Sequence, residues 1–231
     1  MTKKTDHLEQ ELQGSDKAEL IAMIKLMLQQ HPDLSWVLQA SQPVGGKPVQ
    51  VVHSHLYRQQ IETAVSAAAE HYRDRAYREA VGNTLATVQA VVDEFARKAN
   101  YPAALALYEV LVEEAIKHYF TIDTGYLLFT PVLCSCIDGL DSCVAEAGKN
   151  QEMRLRAFKG LFDIYCFSLA SSPDLGEDIP DLLVGNSTHK ERQILAAWVR
   201  DELTRFASST EAANKEYDQL LRRLEQEALP I

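Results

Sequence analysis

Glycine and proline are scarce, 10 and 8 in 231 residues, and no segment alternates β-branched residues with period two. The first scarcity sets aside fibrous and disordered polymers, and the second sets aside strands. Cysteine is sparse too. Cys134, Cys136, Cys143 and Cys166 are the whole complement, three of them inside one apolar stretch, LLFTPVLCSCIDGLDSCV. Neither a histidine nor a second cysteine pair closes a zinc set there, so the thiols read as small buried hydrophobes. The opening MTKKTDHLEQELQG has no apolar core of a secretory leader, and no run approaches the ~18 apolar residues that cross a bilayer. Reduced thiols in a cytoplasmic protein without membrane contact are therefore expected.

Motifs that carry chemistry are also missing. There is no Gly-x-Ser-x-Gly elbow, Walker loop, His-Glu-x-x-His, dinucleotide fingerprint or Glu-x-x-His of a di-iron bundle. No catalytic residue, metal or cofactor is expected. Positive charge is in deficit, with 23 Lys and Arg against 33 Asp and Glu, a formal net charge of -10. An acidic chain repels phosphate backbones, which disfavours a broad duplex-binding face but leaves room for a local basic stripe.

What is present is helical periodicity. At 46% hydrophobic content the chain can bury one large core or two smaller ones. A polar tail, 1–14, precedes SDKAELIAMIKLMLQQHPDL, where Ser15 or Asp16 caps a helix carrying Leu20, Ile21, Ile24 and Leu28, ended by His31-Pro32. A short helix, DLSWVLQA, and the loop SQPVGGKPVQVVH complete a hairpin region, 15–52. From 53 to 231 the pattern is helix after helix. Leu56, Ile61, Val65 and Ala68 mark the first, and Val81, Leu85, Val88, Val92 and Phe95 the second. Asn100 takes the left-handed position that often ends a helix, and Tyr101-Pro102 begins one with Leu105, Tyr108, Leu111, Val112 and Ala115. Thr124–Ala147 is apolar nearly all round, which predicts a central, buried helix. Leu155, Phe158, Leu161, Phe162, Tyr165 and Leu169 define the next. Ser187 or Thr188, with Glu191 as the partner of a capping box, opens another, and Tyr217, Leu220, Leu221 and Leu224 line the last.

Roughly 20-residue helix pairs joined by short turns predict an all-α fold of αα-hairpin repeats, an α-solenoid in one continuous 53–231 domain. Asn100-Tyr-Pro-Ala-Ala-Leu-Ala-Leu-Tyr108 resembles the tetratricopeptide pattern, echoed weakly by Tyr77-Arg-Glu-Ala-Val81. The order of DKAELIAMIKLMLQQHPDL, YRQQIETAV, HYRDRAYREAV, NYPAALALYEVLVEEAI and THKERQILAAWVRDEL resembles the helical region of bacterial SWIM zinc-finger proteins over about 16 to 205. In that family the finger is a Cys-x-Cys pair followed by Cys-x-His. Here Cys134-Ser-Cys136 stands inside the helical region and no Cys-x-His occurs, so no zinc ligand carries over. What the resemblance implies is a helical interaction scaffold, with an accessory role in a nucleic-acid-binding assembly as the alternative.

Three clusters are candidate sites. HYRDRAYREA interleaves Tyr72 and Tyr77 with Arg73, Arg75 and Arg78, the residue types that dominate interface hot spots and hold phosphate. Against that stands a solvated helix turn in which Asp74 and Glu79 pair locally. Asp174, Glu177, Asp178 and Asp181 form an acidic loop. Its spacing lacks the alternating oxygens of a calcium loop, so it reads as a cap and turn between helices, with docking of a basic partner as the rival. His53 and His55, with His31 or His71, could approach one metal, but Ser54 between them reads as a helix cap. His118 and His189 stand isolated in sequence. A protein partner is the leading expectation, nucleic acid the weaker one. The last helix suits either intramolecular packing or a homodimer.

Overall fold

The computed structural model describes residues 16–17, 20–21, 25, 43–44, 49–50, 52–71, 74–122, 125–171, 175–205 and 211–226. The chain divides into two units, 1–53 and 54–231. In the first, the Leu20 amide donates to the Asp16 carbonyl at 3.0 Å, closing a helical turn. β1 (Pro43–Val44) and β2 (Val49–Gln50) pair antiparallel, Pro43 opposite Gln50 and Val44 opposite Val49. This corrects the expectation of no strands. A two-residue ladder is too short to write alternation into a sequence. The expected polar tail and the helix over DLSWVLQA lie outside the described residues.

Eight helices occur among the described residues of the second unit, and apolar spacing explains each. α1 (Ser54–Glu70) buries Tyr57, Ile61, Val65 and Ala68, one face at helical intervals. Tyr57 replaces the expected Leu56, which is only half-buried. α2 (Arg75–Arg97) begins at Asp74, whose carboxylate accepts from the Ala76 amide at 2.9 Å, and buries the five expected residues from Val81 to Phe95. The chain then turns through Ala99 at φ 55° rather than through Asn100, which has φ −90° and precedes α3 (Tyr101–His118). The left-handed position falls one residue earlier than expected.

α4 (Gly125–Glu146) and α5 (Gln151–Ser171) follow, separated by a turn with Gly148 at φ 54°. α6 (Ile179–Gly185), α7 (His189–Arg205) and α8 (Glu211–Gln226) close the chain. α6 lies inside the stretch expected to be only a loop, where Ile179, Leu183 and Val184 form a buried one-sided patch. Thr188 opens α7 by the expected capping box. Its amide donates to Glu191 Oε2 at 2.7 Å and its hydroxyl accepts from the Glu191 amide at 3.4 Å.

Each of the first five helices packs on its successor, and α1 on α3, α2 on α4 and α3 on α5. α3 touches the other four, and among its buried residues are Leu105, Leu107, Leu111 and Ala115. α4 is therefore not the central helix. It buries Phe129, Leu133, Cys136, Leu140 and Cys143, but Leu127 is 59% exposed and Pro131 and Cys134 face outward. An all-round apolar sequence set its expected place, but position in the stack decides how many sides a helix covers.

Two small residues set the spacing around α4. A Cβ at Gly139 would stand 2.1 Å from the Tyr108 ring, and one at Gly160 would stand 2.8 Å from Leu140, so α3, α4 and α5 approach through glycine. Leu127–Glu146, at mean hydropathy 1.5, is by length and composition long and apolar enough to cross a bilayer, which corrects the expectation that no run comes close. Cysteines and small residues raise or dilute such a mean without interrupting it. Beyond α5 the arrangement changes. α8 packs on α7, α6 and α5 through Tyr217, Leu220 and Leu224, and Tyr217 meets Tyr165 edge-on at 5.9 Å. The stripe of the last helix is thus covered within the chain.

Candidate functional site

Residues of α3, α5 and α7 line a groove of about 440 Å³. α3 supplies Val112, Glu113, Ile116 and Lys117, one turn apart in pairs. α5 supplies Asp163, Cys166, Phe167 and Ala170, and α7 adds Glu202. The same i, i+3, i+4 spacing that builds each helix therefore gives the groove an apolar floor and charged edges. Burial pushes the Cys166 thiol up to about 12, against a weaker opposing hydrogen bond from Tyr217, so it acts as an apolar lining group. Beside the groove, Phe167 meets Tyr119 at 4.9 Å and Phe120 at 6.2 Å. Phe120 is 72% exposed, the most exposed large hydrophobe among the described residues.

Every charged edge residue already has a partner. Glu113 pairs with Arg58, Lys117 with Glu62, Asp163 with Lys159, and Glu202 with Arg205 at 2.9 Å. The Lys117 hydrogen bond holds the Glu62 carboxyl below its ordinary value, and Glu62 raises Lys117 in return. The groove thus presents satisfied charges around an unsatisfied apolar surface, an arrangement suited to burying side chains rather than to acid–base chemistry.

Below the Lys117 edge, α1 and α3 enclose a buried carboxylate, Glu114, 2% exposed. Its nearest cations are Arg58 Nε at 3.5 Å and Lys117 Nζ at 3.5 Å, and His118 Nε2 lies at 3.2 Å. Glu62, Glu114 and His118 place their ligand atoms within 4.8 Å of one another, a grouping able to hold a metal ion among the described residues. His118 is therefore not isolated. The Glu114-x-x-x-His118 spacing was the available signal, one helical turn on one face.

The sequence-derived candidates land elsewhere. Tyr72 and Arg73 lie outside the described residues. Arg75 is exposed and pairs with Glu79 at 2.6 Å, Tyr77 packs edge-on against His71 at 4.3 Å, and Asp74 caps α2. Arg75 and Arg78 do border a second cleft of about 530 Å³, shared with Glu79, Gly82, Asn83, Leu127 and Leu128. In the acidic loop, Asp174 lies outside the described residues, while Glu177 and Asp178 are exposed. Asp178 occupies the N-cap position of α6 without a side-chain capping bond. Asp181 turns to Arg223 of α8 at 2.6 Å. The described carboxylates of this loop serve a turn and a helix contact. His53 and His55 are both exposed.

No protein-family model, no curated protein and no solved structure matches this chain.

Proposed function

We propose that the chain is a non-enzymatic helical-repeat scaffold that captures an apolar segment of a protein partner in the α3/α5 groove. Tetratricopeptide-like stacking is part of this reading. It is supported by the packing of α1 on α3 and α3 on α5, which lays alternate helices side by side as in an α-solenoid. The observation that carries the proposal is the apolar floor of Val112, Ile116, Cys166 and Phe167 between edges whose charges are already paired. Docking one large apolar side chain there contributes about 1.5–3 kcal/mol before ordering costs, so two or three anchors on one helix face are needed for useful affinity.

The reading takes the protein as cytoplasmic and α4 as a core helix of a soluble bundle. Its span contains Asp138 and Asp141, and it buries Phe129, Leu133 and Leu140 against neighbouring helices. All four cysteines are unpaired, as a reducing setting requires.

The test is selection of a displayed random-peptide library on the full chain. Enriched peptides should carry apolar residues at i, i+3 and i+4 or i+7, and Ile116→Asp or Phe167→Ala should weaken them by about tenfold or more. Arg75→Glu with Arg78→Glu should leave them unchanged. The reading fails if the arginine pair abolishes binding and the groove variants do not. Binding of DNA at low salt, lost with the same arginine pair, would favour the nucleic-acid accessory role instead.

A further inference from the structure

We propose that Glu114 and His118 of α3, with Glu62 of α1, form a binding site for a zinc-class divalent cation. Three observations converge on it. Glu114 is a carboxylate removed from water, yet none of its neighbours stands at the 2.7–2.9 Å typical of a charge-assisted bond. His118 Nε2 is buried and makes no hydrogen bond, although it lies 3.2 Å from Glu114 Oε2. The other ring nitrogen, Nδ1, faces Thr121 Oγ1 at 3.4 Å, an outer contact that can hold its proton and leave the Nε2 lone pair facing the carboxylate. A lone pair opposed to a carboxylate calls for a cation shared by both.

The spacing suits zinc. Tetrahedral ligation with bonds of about 2.0–2.1 Å sets ligand atoms roughly 3.3–3.4 Å apart. Glu114 Oε2 and His118 Nε2, at 3.2 Å, already form one such edge. Glu62 completes the set within 4.8 Å, on a half-buried side chain. Mixed imidazole and carboxylate ligands favour zinc over magnesium or calcium, which prefer oxygen alone. In this structure an ammonium takes the cation's part, since Lys117 Nζ reaches both Glu62 and Glu114. Lys117 is half exposed and on a flexible stem, so it can swing to water when a metal enters. Lys117 and Arg58 thereby compete with the metal and weaken its binding. Three protein ligands would leave a fourth position for water.

The full chain, stripped with chelator, is titrated with Zn²⁺ by calorimetry and with Co²⁺ by visible absorption, which reports ligand geometry. One equivalent per chain is expected, with Mg²⁺ and Ca²⁺ silent. His118→Ala and Glu62→Gln should each weaken binding by about tenfold or more. Lys117→Met, which removes the competing charge, should tighten it by about tenfold. His53→Ala with His55→Ala should change nothing. Glu62 is not part of the apolar core, so its substitution keeps the test readable if His118→Ala disturbs the fold. Absence of saturable uptake by the wild-type chain would overturn the proposal, as would one-equivalent binding that survives both His118→Ala and Glu62→Gln.

Discussion

Glu114 and Glu191 are equally buried, each 2% exposed, and each lies where two helices of the stack meet. Their surroundings differ. Glu191 of α7 receives Arg154 in fork geometry, Nε at 2.7 Å and Nη2 at 3.0 Å, and the Thr188 amide at 2.7 Å. Arg154 also donates to the carbonyls of Val144 at 2.8 Å and Asn186 at 2.5 Å, joining α4, α5 and the start of α7. Burial alone would raise the Glu191 carboxyl, but Arg154 and Thr188 outweigh it and hold it below its ordinary value. Glu114, by contrast, has three neighbours at 3.2–3.5 Å and no tight donor. Equal desolvation with unequal satisfaction separates a tightly bonded structural lock from a loosely held carboxylate.

Breaking the lock should have the largest effect. Arg154→Ala leaves the Glu191 carboxylate buried without its partner and should cost about 3–5 kcal/mol, read from urea denaturation. The wild-type lock should also be acid-sensitive. Because the folded Glu191 carboxyl lies below the ordinary glutamate value of about 4.5, its stabilisation is present above about pH 4.5 and is lost as the pH falls through the folded value. The acid dependence of the urea midpoint should shrink in Arg154→Met. A second large effect lies at the α3/α4 seam. Gly139→Val drives carbon atoms into Tyr108 and should cost about 1–3 kcal/mol or more in the same assay.

Glu114→Gln sharpens the comparison from the other side. It removes a desolvated charge while Arg58 and Lys117, both partly exposed, turn to water, so the loss should not exceed about 1 kcal/mol. A loss as large as that of Arg154→Ala would erase the distinction between the two carboxylates. The smallest effect concerns the α2–α3 turn. Ala99→Gly relieves a left-handed alanine at φ 55° and should stabilise by about 0.5 kcal/mol, after the entropy that glycine adds to the unfolded chain.

Much of the helical pattern could be read before the structure. The stripe from Val81 to Phe95 and the Thr188–Glu191 capping box depend only on neighbours three or four residues away. The failures share a cause. α4 looked central because its composition is apolar on all sides, yet α3 holds that place through contacts with helices distant in sequence. For His118 only half the grouping was hidden: Glu114 stands one turn away on α3, but Glu62 comes from another helix. The arginine patch is a different case, since the local Arg75–Glu79 ion pair was legible from spacing, and Arg75 and Arg78 also border a cleft.

By itself, then, the sequence determined where helices run, which face each one buries and how several of them are capped, because periodicity and capping are short-range properties. Only tertiary structure decided which helix became the hub, that Arg58 and Lys117 would meet carboxylates 55 residues away, and that residues of α3, α5 and α7 would line a common groove. Those outcomes follow from the register and angle at which ridges of one helix settle between those of another, and no local spacing encodes either.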